Sequence, residues 1–112
     1  MKINDIIQAL NLTVISGRGG LENEVSGGYV SDLLSDVMGN ASEGDAWITI
    51  QTHSNIIAVA SLREISAIII AKGLQPAEET IKKSESENIP LLSTDESAFT
   101  ITGRLFELLK KE

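Results

Sequence analysis

Three times between residues 46 and 111, a short apolar run gives way to a stretch with helical character. AWITI (46–50) precedes NIIAVASLRE (55–64), SAIIIA (66–71) precedes PAEETIKKSESEN (76–88), and IPLLS (89–93) precedes a final helix from about 97 to 111. A spacing of roughly twenty residues between such runs is what parallel strand–helix–strand units produce. SAIIIA has no polar alternation, so both its faces need cover, as in a central strand with helices on each side. Each crossover should be right-handed.

The first half is less regular. Ile3, Ile6, Ile7 and Leu10 recur at helical spacing over 1–10. LTVIS (12–16) reads as a strand ended by the glycines of GRGG (17–20). We expect another short strand over 25–30, with a bulge or a close backbone approach at Gly27 and Gly28. SDLLSDVMGN (31–40) predicts a helix with Ser31 as N-cap and Asp32 and Asp36 early in it. Leu33, Leu34, Val37 and Met38 form one face, and Gly39-Asn40 is the stop. ASEGD (41–45) is a turn, and Pro76 opens the polar helix over 76–88. Together these elements imply an α/β fold over residues 1–112, a three-layer sandwich with a mainly parallel sheet of about four to five strands.

A chain of 112 residues suits one domain and can bury a core without metal or disulfide staples. With no cysteine, disulfide frameworks and thiolate metal sites are excluded. The formal charge of −7 repels phosphate backbones, and the basic residues form no stripe, so nucleic acid is not an expected partner. Lys2 is followed at once by an amphipathic rather than a continuous apolar stretch, and no apolar run approaches membrane-spanning length. The expectation is a soluble, cytoplasmic chain without membrane partners. The helix over 55–64 is apolar nearly all round, so a second buried face is expected, and in so small a domain a second subunit would supply it. A homodimer follows from that reading.

In a parallel α/β sheet, ligands bind beyond the carboxyl ends of the strands, where loops and helix N-termini converge. The segments that follow the predicted strands there carry Thr52, His53, Ser54, Asn55, Lys72, Gly73, Thr94, Asp95 and Ser97, all candidates for holding a small anionic or nucleotide ligand. Gln51, Gln75, Glu96, Ser31 and Asp32 lie on the same segments. The competing reading is that Thr52, Ser54, Asp95 and Ser97 cap helices. His53 is the only histidine and stands just before a helix, where capping or packing is its plainer role; as a general base it would need an orienting group such as Asp95. No catalytic residue is assigned. HxxxH and HxxE spacings are absent, so no metal site is expected. GRGGLENE places Glu22 where GxGxxG needs its last glycine, and no GK[ST] occurs. No cofactor is implied.

The run from ITIQTHSNIIAVA through SAIIIAKGLQP to ENIPLLSTDESAF resembles the DRTGG domain family, and VSGGYVSDLLSDVM resembles that family's first half. Thr52-His53 stands where the family has Asp-Arg, and Ala71-Lys72-Gly73 where it has Thr-Gly-Gly. Only Gly73 is retained, so ligand chemistry of the eponymous residues does not transfer. Thr94, Asp95, Ser97 and Phe99 fit the family's last loop. The resemblance implies an α/β domain similar in fold to the N-terminal domain of HPr kinase. Such domains occur in regulatory settings, between the CBS domains of some pyrophosphatases or at the start of some phosphate acetyltransferases. It implies a non-catalytic regulatory and oligomerisation module that senses a ligand. The alternatives are a protein-interaction adaptor acting in trans on a separate effector enzyme, and a small enzyme using His53.

Overall fold

The computed structural model describes residues 1–111. In chain order the elements are α1 (Ile3–Leu10), β1 (Thr13–Ser16), one 3-10 turn (Arg18–Gly20), β2 (Gly27–Val30), α2 (Leu34–Asn40), β3 (Asp45–Thr49), α3 (Asn55–Leu62), β4 (Ala67–Ile70), α4 (Glu78–Glu87), β5 (Leu91–Ser93) and α5 (Ala98–Lys110). The strands form one five-stranded sheet in the order β1-β5-β4-β3-β2. β2 to β5 are parallel, and β1 joins β5 antiparallel. The expected mainly parallel α/β sandwich is what forms.

Successive residues of a strand face opposite ways, and that alternation separates two cores. Ala46, Ile48, Ala67, Ile69, Ala71 and Leu92 face α1 and α5, meeting Ile3, Ile6, Leu10, Ile101 and Leu105. Trp47, Ile68, Ile70 and Leu91 face the other way, toward Val37 of α2, Ile56, Ile57, Val59 and Ala60 of α3, and Ile81 of α4. Every residue of β3 and β4 is buried, which is why SAIIIA shows no polar alternation. α4 is polar apart from Ile81, and its two buried hydroxyls are satisfied. Thr80 Oγ1 donates to the Thr52 carbonyl at 2.7 Å, and Ser84 Oγ, 2.8 Å from Ser16 Oγ, donates to the Ile89 carbonyl at 2.7 Å.

Three expectations are corrected, and that for Gly27 and Gly28 is met as a close approach and not as a bulge. The all-round apolar α3 does not need a partner subunit for its second face, because α2 and α4 flank it in the same layer. Its exposed residues are Asn55, Ala58, Ser61 and Leu62. The glycines of β2 keep regular parallel register, and the register shift falls in β1, between Val14 and Ser16. Gly27 and Gly28 do sit at close approaches, since a Cβ there would lie 2.9 Å from Asp45 Oδ1 and 3.3 Å from Leu105 Cδ2. Pro76 precedes α4, whose N-cap is Ala77. The helix expected over 31–40 starts late: Leu33 is its N-cap, Gly39 and Asn40 belong to its last turn, and Ser31 Oγ accepts from the Leu33 amide at 3.1 Å.

α2 is fastened to edge strand β2 through Asp36. Tyr29 Oη donates to Asp36 Oδ2 at 2.9 Å, and Asn40 Nδ2 donates to Oδ1 at 3.1 Å. The Ser31 and Tyr29 hydroxyls beside it hold the Asp36 carboxyl below its ordinary range, and the Asp36 carboxylate raises the Tyr29 phenol. A carboxyl depressed in the folded state contributes stability above its unfolded pKa and loses it as pH falls through the folded value. Urea unfolding at neutral pH and at about pH 3 should therefore show a smaller acid loss for Tyr29→Phe than for the parent chain. Identical losses would mean that this hydroxyl does not act on Asp36.

Candidate functional site

The chain steps from β2 to β3 to β4 to β5 in one direction across the sheet, so α2, α3 and α4 share one face. α5 then passes to the opposite face and packs beside α1. The connections after β4 and β5 therefore part toward opposite faces. Loops that diverge in this way leave a crevice at the carboxyl edge of a sheet, where ligands bind.

The two loops meet through backbone bonds. Lys72 and Gly73 are both left-handed, with φ of 66° and 68°. The Lys72 amide donates to the Glu96 carbonyl at 2.7 Å, and the Gly73 amide to the Thr94 carbonyl at 2.9 Å. A Cβ on Gly73 would lie 3.0 Å from Asp95 Oδ1, so both the turn and the packing call for glycine. Among the described residues, the exposed Lys72 ammonium forms no ion pair.

The β5 loop is equally fixed. Thr94 Oγ1 accepts from the Glu96 amide at 3.2 Å, and Ser97 Oγ caps α5 by accepting from the Thr100 amide at 3.2 Å. Arg104 of α5 reaches back to the Glu96 carboxylate and to the Ala9 carbonyl. Glu96 Oε1 is buried and has no hydrogen-bond partner among the described residues. Thr94, Asp95, Glu96 and Arg104, with Ser93, Asn11 and Thr13, line a polar cavity of about 540 Å³.

Of the nine candidates, Thr94 and Asp95 line this cavity, and Lys72 and Gly73 do not line it but meet the same loop through their backbone bonds. Thr52 sits one strand over, its carbonyl accepting from the Ala77 amide at 3.1 Å and from Thr80 Oγ1. His53 is exposed, and its Nδ1 accepts from the Asn55 amide at 3.1 Å, so it caps its own helix. No hydrogen bond joins His53 to Asp95 among the described residues. Ser54 makes no side-chain capping bond, Asn55 is the first residue of α3, and Ser97 is a cap.

Three residues outside the candidate set organise the rim. Asp32 Oδ1 accepts from Thr49 Oγ1 at 2.9 Å and from the Ile50 amide at 2.8 Å, which ties the β2 and β3 loops together. Glu96 and Arg104 brace the β5 loop. Asp32 and Glu96 stand on the segments that follow strands, which is a visible signal; Arg104 carries none, because its role depends on α5 folding back past the rim. Among the described residues, no three metal-ligating side chains cluster and no helix is long and apolar enough to cross a membrane.

A family model described as the DRTGG domain matches residues 5–108. Comparison with curated proteins gives no match. Among solved structures, the chain is similar to the CBS and DRTGG domains of the regulatory region of Clostridium perfringens pyrophosphatase, which was crystallised with its activator, diadenosine tetraphosphate. The TM-score is 0.73 at 19% identity, over 93% of this chain and 45% of that one. The chain thus spans less than half of that regulatory region, and a likeness at this identity speaks for the fold.

Proposed function

This chain belongs to the DRTGG domain family, and from that premise we propose that it is a cytoplasmic regulatory module without chemistry of its own. It binds a small anionic or nucleotide-like ligand at the rim between β4 and β5 and self-associates. The observation that carries the reading is the left-handed Lys72-Gly73 turn, docked on the Thr94–Glu96 backbone with its ammonium unpaired among the described residues. Non-glycine residues in the left-handed region concentrate at ligand clamps and switch regions. The divergence of the two loops supports the same place. Carboxylates of Asp32, Asp95 and Glu96 lie along the same edge, so the ligand is one that brings donors as well as an anion. A nucleotide does so, its hydroxyl and amino groups meeting carboxylates while a phosphate meets Lys72. The capping bond of His53 weighs against a catalytic base there.

A thermal-shift series with AMP, ATP, diadenosine tetraphosphate and inorganic phosphate tests the ligand. Binding at one hundred times Kd adds about 2.7 kcal/mol, a rise of roughly 10 °C for a domain of this size. Lys72→Ala should weaken the response about tenfold in Kd, equivalent to about 1.4 kcal/mol. A melting temperature unmoved by every compound would remove the ligand from the proposal. The second reading, an adaptor acting on a separate effector protein, draws on the exposed Phe99 and Phe106 of α5.

A further inference from the structure

α5 is apolar on two sides. Ile101 and Leu105 are buried under it, whereas Phe99 and Phe106 are 89% and 64% exposed. Phe99, Gly103, Phe106 and Lys110 are spaced by three or four residues, so they form a single stripe along the helix, opposite its buried side. A groove of about 990 Å³ follows this stripe, with Val30 of edge strand β2 on its wall. Single exposed apolar residues are ordinary, but two phenylalanines in one groove mark a contact surface.

We infer that this face binds the same face of a second copy, α5 against α5, antiparallel and crossing at Thr102-Gly103. The inference rests on the self-association in the function proposed above and assigns its surface. Self-complementarity is the first reason. Phe99 and Phe106 lie at equal sequence distance on either side of Thr102-Gly103, so a two-fold axis there sets each Phe99 on Phe106 of the other copy. An isologous interface requires that arrangement. The crossing point is also bare: a Cβ on Gly103 would meet nothing within 4 Å, so the two backbones can approach closely. Charge complementarity is the third reason. Asp95 stands just before α5, and Lys110 and Lys111 stand at its end, so the antiparallel pairing brings Asp95 of each copy toward Lys110 of the other. It also opposes the two helix dipoles. A groove built for an unrelated protein has no need of this internal symmetry.

The chain has no cysteine, so Gly103→Cys introduces a single thiol at the crossing. Sedimentation velocity from low to high micromolar should show the parent chain as a dimer. Phe106→Glu should raise the dimer Kd by at least about a hundredfold while leaving the circular dichroism spectrum unchanged, because Phe106 is exposed. Gly103→Cys should form a covalent dimer under mild oxidation. A parent chain that stays monomeric throughout would overturn self-association and leave the face to a different protein. A dimer that survives Phe106→Glu and is not locked by Gly103→Cys would overturn only the α5 pairing. Loss of the ligand-induced thermal shift, with the dimer intact, bears on the rim alone.

Discussion

Replacing Trp47 with alanine is expected to lower the free energy of unfolding by about 3–5 kcal/mol, a large part of the roughly 5–15 kcal/mol that holds an ordinary domain together. Trp47 is fully buried in the middle of β3. It fills the layer beneath α2 and α3, in one cluster with Val37, Ala41, Ile56 and Ala60. Its indole Nε1 donates to the Ser31 carbonyl at 2.9 Å, next to Asp32, whose carboxylate holds the β3 loop. Truncation thus opens a cavity and leaves that carbonyl unpaired, two costs that add. Trp47→Phe retains most of the packing but forfeits the hydrogen bond, so about 2 kcal/mol is expected. Trp47 is the only tryptophan, so unfolding must be followed by circular dichroism in urea. A loss under about 1 kcal/mol for the alanine variant would contradict the close packing on which the helix layer depends.

Gly17→Ala should destabilise by about 3 kcal/mol or more, combining a left-handed backbone with a clash. Gly17 has a φ of 78°, and a Cβ there would lie 2.0 Å from the Ile89 carbonyl oxygen and 2.8 Å from Pro90 Cα. Both neighbours are backbone at the entry to β5, so neither yields without parting β1 from the sheet. The Gly17 amide, which donates to Glu85 Oε1 at 2.8 Å, moves with it. Gly103→Ala is the internal contrast. In an open helical position it should raise the stability of the isolated monomer by about 0.5–1 kcal/mol. If the two alanine variants unfold at similar urea concentrations, the close approach at Gly17 is not there.

The sheet interior is legible in the sequence because burial on two faces leaves no place for polar alternation, and Ala67, Ile68, Ile69, Ile70 and Ala71 carry that mark. β2 and the start of α2 are not. Ser31 and Asp32 resemble the opening of a helix, yet Asp32 is held out of it by the Ile50 amide and Thr49 Oγ1, partners that no local pattern contains. Likewise an apolar helix such as α3 signals two covered faces without saying whether neighbouring helices or another subunit covers them. The carboxyl rim follows from counting strands. The narrowing we propose, to the gap between β4 and β5, does not, because it depends on α5 choosing the face opposite α4, a choice made by packing with α1. His53 looks chemically special only through its rarity; its neighbours make it a cap.

The side-by-side packing of α1 and α5 has a consequence for how such a unit joins other polypeptide. The Val25 amide binds the Met1 carbonyl at 2.8 Å, which places the start of α1 beside the entrance to β2. α5 runs back from the rim toward that same side. Any segment attached before Met1 or after Lys111 would depart through one doorway, on the far side from Lys72. Polypeptide joined at either helix would therefore meet the unit on the side opposite the Lys72 turn, beside the paired helices α1 and α5.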